Sequence, residues 1–327
     1  MEIRLEPHDE GTHDPGEEPT FNESMYVNVY DPAAGLGAFF RIGNRPNEGR
    51  AEVTTCAFLP GGRVGFMFGR PHIEGNAVLD AGGMRFEVTR PFEEMEVAYD
   101  GTLCILDDPL QMADPKKAFT TNPHVPCRAE LTCTGVSTMF GGEPSEPIEG
   151  AGEGFAKAHY EQLMAVSGRL TIGDDSYPLD GHGLRDHSWG PRTWQAPWYY
   201  RWLTGNVGGE FGFMCSRVAS RTGPGTRGGF VWDGGEMHLC PAAEIRTGWT
   251  GDGYHETVEF DLRAGDRTWS VKGEVMTLIP LRNRRDGQVT RIAEGLTRWT
   301  TSDGRTGYGL SEYLDQIVDG EPVGRDE

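Results

Sequence analysis

The chain has 327 residues, 37% hydrophobic and 24% charged, enough for one large domain or two ordinary ones with a core and an enclosed cavity. Its net charge is −20 without any basic run, which excludes phosphate backbones and anionic membrane surfaces as natural partners. No stretch approaches the roughly 20 apolar residues of a membrane span, no signal-peptide core follows Met1–Leu5, and the six cysteines form no CxxC pair, so a reduced, soluble, cytoplasmic protein is expected.

Residues 1–20 are rich in Glu, Asp, Gly and Pro and read as a poorly ordered acidic N-terminus. Short alternating runs follow. Met25–Tyr30 ends at Asp31-Pro32, Gly37–Ile42 at Gly43-Asn44, and Ala51–Leu59 at Pro60-Gly61-Gly62. Arg63–Phe68, Met84–Thr89 and Met95–Tyr99 continue the pattern, which is that of an antiparallel meander. Gly141–Gly154 reads as a loop leading into one short helix around Phe155–Tyr160. Strands resume at Gln162–Val166 and Arg169–Ile172, and again from Trp198 onward, with hairpin turns at Asp233-Gly234-Gly235, Asp286-Gly287 and Asp303-Gly304. About 16–20 short strands fit two β-barrels or one large sandwich. The domain limits are set at 20–190 and 191–327.

The most informative stretch is Gly181-His182-Gly183-Leu184-Arg185-Asp186-His187-Ser188-Trp189-Gly190-Pro191-Arg192, followed by Trp194, Trp198, Tyr199 and Tyr200. Proton donors and acceptors beside large π surfaces suit a site where a greasy substrate meets acid–base chemistry. His187 is the expected acid or base, and Asp186 orients it or supplies its proton. Arg185 is the ion-pair partner of Asp186. Trp189, Trp194, Trp198, Tyr200, His182 and Glu312 are expected to line the substrate site, with Arg185, Arg192 or Arg298 as the partner of a buried Glu312. A bland reading stands beside this one: Arg185-Asp186 as a structural ion pair, and the indoles as core. His182, His187 and Asp186 invite a metal triad, but on a strand an odd offset places side chains on opposite faces, so no metal is expected. No GxGxxG loop or other cofactor motif occurs, so no cofactor is expected either.

The run Arg185-Asp186-His187-Ser188-Trp189-Gly190 resembles the (R)DHxWG signature of the AttH and carotenoid 1,2-hydratase (CrtC)-like proteins. The segments Phe39–Asn44 and Gly307–Tyr313 resemble an uncharacterised branch of that superfamily over about residues 20 to 320. The resemblance implies an all-β fold of two lipocalin-like antiparallel barrels packed together, with little helix. It also implies that His187 and Trp189 belong to the active site. The Tyr-x-Asp that supplies the proton in the hydratases has no counterpart in Phe211–Arg217, so the acid comes from elsewhere, with Asp186, Asp233 and Glu312 as candidates.

The expected function is cofactor-independent chemistry on a terpenoid, steroid or polyketide-like lipid: hydration, dehydration, isomerisation or cyclisation. The alternative is a non-catalytic lipocalin-type carrier of such a molecule. The partner is therefore a hydrophobic small molecule, without nucleic acid or membrane insertion, and a homodimer is left open.

Overall fold

The computed structural model describes residues 3–145, 156–223 and 225–325. The fold is all-β and antiparallel, as expected, and the chain divides into two compact units. Among the described residues the first holds 3–107, 119–145 and 156–193, and the second holds 108–118, 194–223 and 225–325.

Eight strands of the first unit follow one another around a ring: β1 (Phe21–Asp31), β2 (Leu36–Arg45), β3 (Arg50–Phe58), β4 (Val64–Gly69), β5 (Glu94–Leu106), β6 (His124–Gly135), β7 (Ala158–Ile172) and β8 (Asp175–Pro191). Each pairs with the next, and β8 returns to β1 from Pro191↔Phe21 to His182↔Tyr30. Closure removes the unpaired edges that an open sheet would present. Alternation decides what faces inward: Met95, Val97 and Tyr99 of β5 meet Cys127, Ala129, Leu131 and Cys133 of β6 in one core. Val27, Val29, Met164, Val166 and Leu179 join them.

The second unit contributes β9 (Tyr199–Val207), β10 (Phe211–Ala219), β11 (Thr226–Asp233), β12 (Glu236–Cys240), β13 (Ala242–Trp249), β14 (His255–Ala264), β15 (Arg267–Arg285), β16 (Gln288–Thr301) and β17 (Thr306–Val318). They order as β12-β11-β10-β9-β17-β16-β15-β14-β13, so Pro241 alone separates the two end strands in sequence. The interior is aromatic: Trp299 meets Phe213 and Phe260 edge-on, and those two rings pack against each other at a tilt. The three expected hairpin turns form. At Asp286-Gly287 both residues have positive φ, 51° and 77°, as the two-residue type I′ turn requires.

Two expectations fail. Ala158–Tyr160, read as part of a helix, opens β7, and Phe155 lies outside the described residues. The ladder to β8 outweighs local propensity there. Among the described residues the α-helix is Pro115–Thr121. Residues 3–20, read as poorly ordered, contain a 3₁₀ turn at Pro7–Glu10 whose Asp9 and Glu10 are buried. No helix among the described residues is long and apolar enough to cross a membrane.

Candidate functional site

Strand β8 carries the motif and has two faces. Arg185, His187 and Trp189 point inward, in line with Leu179, while His182, Leu184, Asp186 and Ser188 point the other way. Adjacent residues of a strand cannot share a face, so Asp186 does not orient His187 and does not pair with Arg185. The partners of those two residues come from the N-terminal segment and β1.

Inside the barrel, Arg185 grips Glu10 with two bonds, Nη2–Oε1 at 2.6 Å and Nη1–Oε2 at 2.8 Å, and donates Nε–H to Gln162 Oε1 at 3.0 Å. Tyr160 donates its hydroxyl to Glu10 Oε2 at 2.8 Å, and His187 Nδ1 lies 3.2 Å from the same phenol oxygen. His187 Nε2 is 2.7 Å from Glu23 Oε1, and His13 Nδ1 reaches that same oxygen at 3.1 Å. The other Glu23 oxygen accepts from the His13 backbone N–H at 2.7 Å and from Asn76 Nδ2 at 3.1 Å. Trp189 stacks on His13, centroids 4.0 Å apart.

Burial alone would push Glu23 upward, but hydrogen bonds from His13 and His187 outweigh it and bring the carboxyl down to about 2. Glu10 is lowered in the same way: burial opposes, while Arg185, Tyr160 and the Phe92 N–H win. Burial also opposes the rise of His13, which its bonds to Glu23 and Asp9 produce. His187 and Glu23 have no exposed side-chain surface. This assembly therefore holds charge inside the barrel and does not meet solvent at His187.

The opposite face of the same strands carries a second set. The register aligns Glu161, Asp186, Tyr26, Arg41 and Thr54 across β7, β8, β1, β2 and β3. Beside that row run His159, Ser188, Ser24, Gly43 and Glu52. On its other side lie Leu163 and Leu184, then Asn28, Phe39 and Cys56. The ligand atoms of His159, Glu161 and Asp186 lie within 4.8 Å of one another. Glu161 is buried, Asp186 half-buried and His159 about half exposed, at 49% of its side chain. The surrounding protein and Arg192 hold the His159 imidazole below its ordinary range against the pull of Asp186. Asn22 and Ser24 are buried on this face, yet neither side-chain atom of Asn22 nor Ser24 Oγ makes a hydrogen bond among the described residues. Each such orphan costs about 1–3 kcal/mol unless water or a ligand meets it. His182 also lies on this face, half-buried opposite Tyr30, its imidazole lowered by burial against the pull of Asp180.

The remaining expected residues belong to the second unit. Tyr200 donates its hydroxyl to Glu312, and Glu312 sits opposite both Glu294 and Trp202 in the ladder. Glu312 thus has a phenol where a guanidinium was expected, since Arg185 is committed to Glu10 and Arg298 to Glu274. Trp198 lies under the Arg221 guanidinium at 4.4 Å. Trp194 is half-buried and uses its carbonyl to accept from Gln316 Nε2 at 2.9 Å. The expected residues therefore fall into three places: Arg185, His187 and Trp189 inside the first barrel, His182 and Asp186 on its other face, and Trp194, Trp198, Tyr200 and Glu312 in the second unit.

Glu10, His13, Glu23, Asn22 and Ser24 were not anticipated. Glu23 could have been found, because it continues the inward row of Met25, Val27 and Val29 as a charge on a core face. Nothing local marks Glu10 or His13.

Comparison with solved structures places the fold. The chain is similar to a candidate AttH from Nitrosomonas europaea, at 14% identity and TM-score 0.64 over 96% of both chains. It is similar to CghA at 10% identity and TM-score 0.54 over 95% of both chains. It is also similar to kievitone hydratase from Nectria haematococca, at 13% identity and TM-score 0.51 over 93% of both. These likenesses agree with the expected fold of two lipocalin-like antiparallel barrels. No curated protein matches the chain. The model of one family, described as "Domain of unknown function (DUF7064)", matches residues 6–317, and the chain belongs to that family.

Proposed function

We propose that the protein is a hydratase- or lyase-type enzyme that adds, removes or relocates the elements of water on a hydrophobic small molecule by acid–base chemistry. The carrying observation is the outer face of the first barrel. There His159, Glu161 and Asp186 gather one strand away from Ser24 and Asn22, whose side-chain polar atoms make no hydrogen bond among the described residues, with Leu163, Leu184 and Phe39 alongside. Glu161, buried beside Asp186 and His159, serves as the acid. It protonates one carbon of an alkene, a water oxygen bonds to the other, and the water's proton passes to Asp186 or His159. Dehydration runs the same steps in reverse. Asn22 and Ser24 hold an oxygen of the substrate, and Leu163, Leu184 and Phe39 accommodate its apolar body. A terpenoid, steroid or polyketide-like lipid fits that division of surface. The name of kievitone hydratase, a structural neighbour, supports the reaction class.

In this reading His187, on the opposite face of β8, takes no part in the proton transfer. The test is turnover of a panel of such lipids in D2O, with deuterium incorporation or loss of water read by mass spectrometry. Glu161→Gln and Asp186→Asn should each lose about 10²-fold or more in rate while keeping the circular-dichroism spectrum. Turnover that survives both substitutions defeats the assignment, and a tightly held lipid that never exchanges favours a carrier.

A further inference from the structure

We propose that His13, Glu23 and His187 form a site for one divalent transition-metal ion of the zinc class, which clips the N-terminal segment onto the first barrel. This site is separate from the acid–base face and does not depend on its reading. His13 Nδ1, His187 Nε2 and Glu23 Oε1 converge, with all candidate ligand atoms within 4.8 Å of one another. Two imidazoles and a carboxylate form a donor set that borderline ions favour.

Each donor is also held from behind. Glu23 Oε2 is occupied by the His13 N–H and Asn76 Nδ2, leaving Oε1 for the ion. The far nitrogen of His13 faces Asp9 Oδ1 at 3.4 Å, and that of His187 faces the Tyr160 oxygen at 3.2 Å. A histidine backed by a carboxylate or hydroxyl is the supporting arrangement of metal ligands.

Proton accounting points the same way. Tyr160 donates its hydroxyl hydrogen to Glu10, which leaves its oxygen to accept from His187 Nδ1 in the tautomer that carries a proton there. His187 Nε2 then confronts an anionic oxygen at 2.7 Å, and the pair is reconciled by an added proton or by a metal cation between them. His13 is set between two carboxylates in the same manner. Protonating both rings would leave two imidazolium charges with centroids 5.9 Å apart, whereas one dication at the point of convergence serves two neutral rings. His13 keeps 18% of its side chain exposed, which gives an ion its way in.

The test uses the full, untagged chain, stripped with a chelator and titrated with Zn²⁺ by calorimetry and with Co²⁺ by visible absorption. One equivalent should bind per chain, with a rise in melting temperature. His13→Ala should abolish that binding, Asp9→Asn should weaken it about 10–100-fold, and His159→Ala, at the other face, should leave it intact. If His187→Ala fails to fold, His13→Ala alone decides the question, because His13 lies on a peripheral segment. No uptake by the native chain, or uptake lost in His159→Ala and kept in His13→Ala, overturns the proposal.

Discussion

Glu23 occupies an inward position on β1, in line with Met25, Val27 and Val29, and is ionised there because four nitrogen atoms reach its two oxygens. Its carboxyl sits at about 2 against an ordinary 4.5, and Glu10 is lowered as well. A group lowered by folding contributes stability that is complete above its ordinary value and is lost as pH falls through the folded one. For Glu23 alone that contribution is about 3 kcal/mol. His13 behaves oppositely. Raised above 6.5, it contributes fully below that value and loses its contribution as pH climbs through the folded one. Urea midpoints of the chelator-stripped chain measured across pH should therefore peak between the ordinary carboxylate and imidazole values and fall on both sides. Glu23→Gln should flatten the acid limb. An acid limb that keeps its slope in that variant means the carboxyl is not held as described.

At the level of the element, β8 shows how period-two geometry overrides sequence adjacency. Asp186 and His187 are neighbours in the chain and occupy opposite sides of a wall, so they belong to different chemistries. The strand's glycines serve a packing purpose. A Cβ on Gly183 would overlap the carbonyl oxygen of Asn28 on β1, and the Asn28 side chain already accepts the Leu184 N–H at 3.0 Å. Backbone cannot withdraw as a flexible side chain would. Gly183→Ala should therefore loosen the β8–β1 seam that closes the ring and cost about 3 kcal/mol, seen as a lower urea midpoint with an unchanged slope. A variant as stable as the parent would show that the seam has slack.

Across the whole molecule, the N-terminal segment is the least expected structural member. Removing residues 1–14 takes away Glu10 and His13 together and strands the buried Arg185, whose side chain is 2% exposed. An uncompensated buried charge costs about 3–5 kcal/mol, so the truncated chain should melt well below the intact one. Arg185→Met in the truncated background should recover part of that loss, because it removes the stranded charge. Equal melting of truncated and intact chains would mean that the segment contributes nothing to the barrel.

The all-β class, the hairpin turns and the family-like motif were legible in the sequence because each rests on local chemistry: alternation, Asp-Gly turns, and six adjacent residues of uncommon type. The motif also drew attention to Arg185, His187 and Trp189, which alternate along β8 and so share its inner face. It could not reveal that Glu10 and His13 complete that face, since contacts spanning 175 and 174 positions leave no local trace. Nor could it show which side of β8 meets Asn22 and Ser24. Side-chain chemistry is written residue by residue, whereas register and ring closure are properties of strands far apart in the chain. Only the folded barrel decided that the charged cluster splits in two, one half sealed inside and the other on the opposite face.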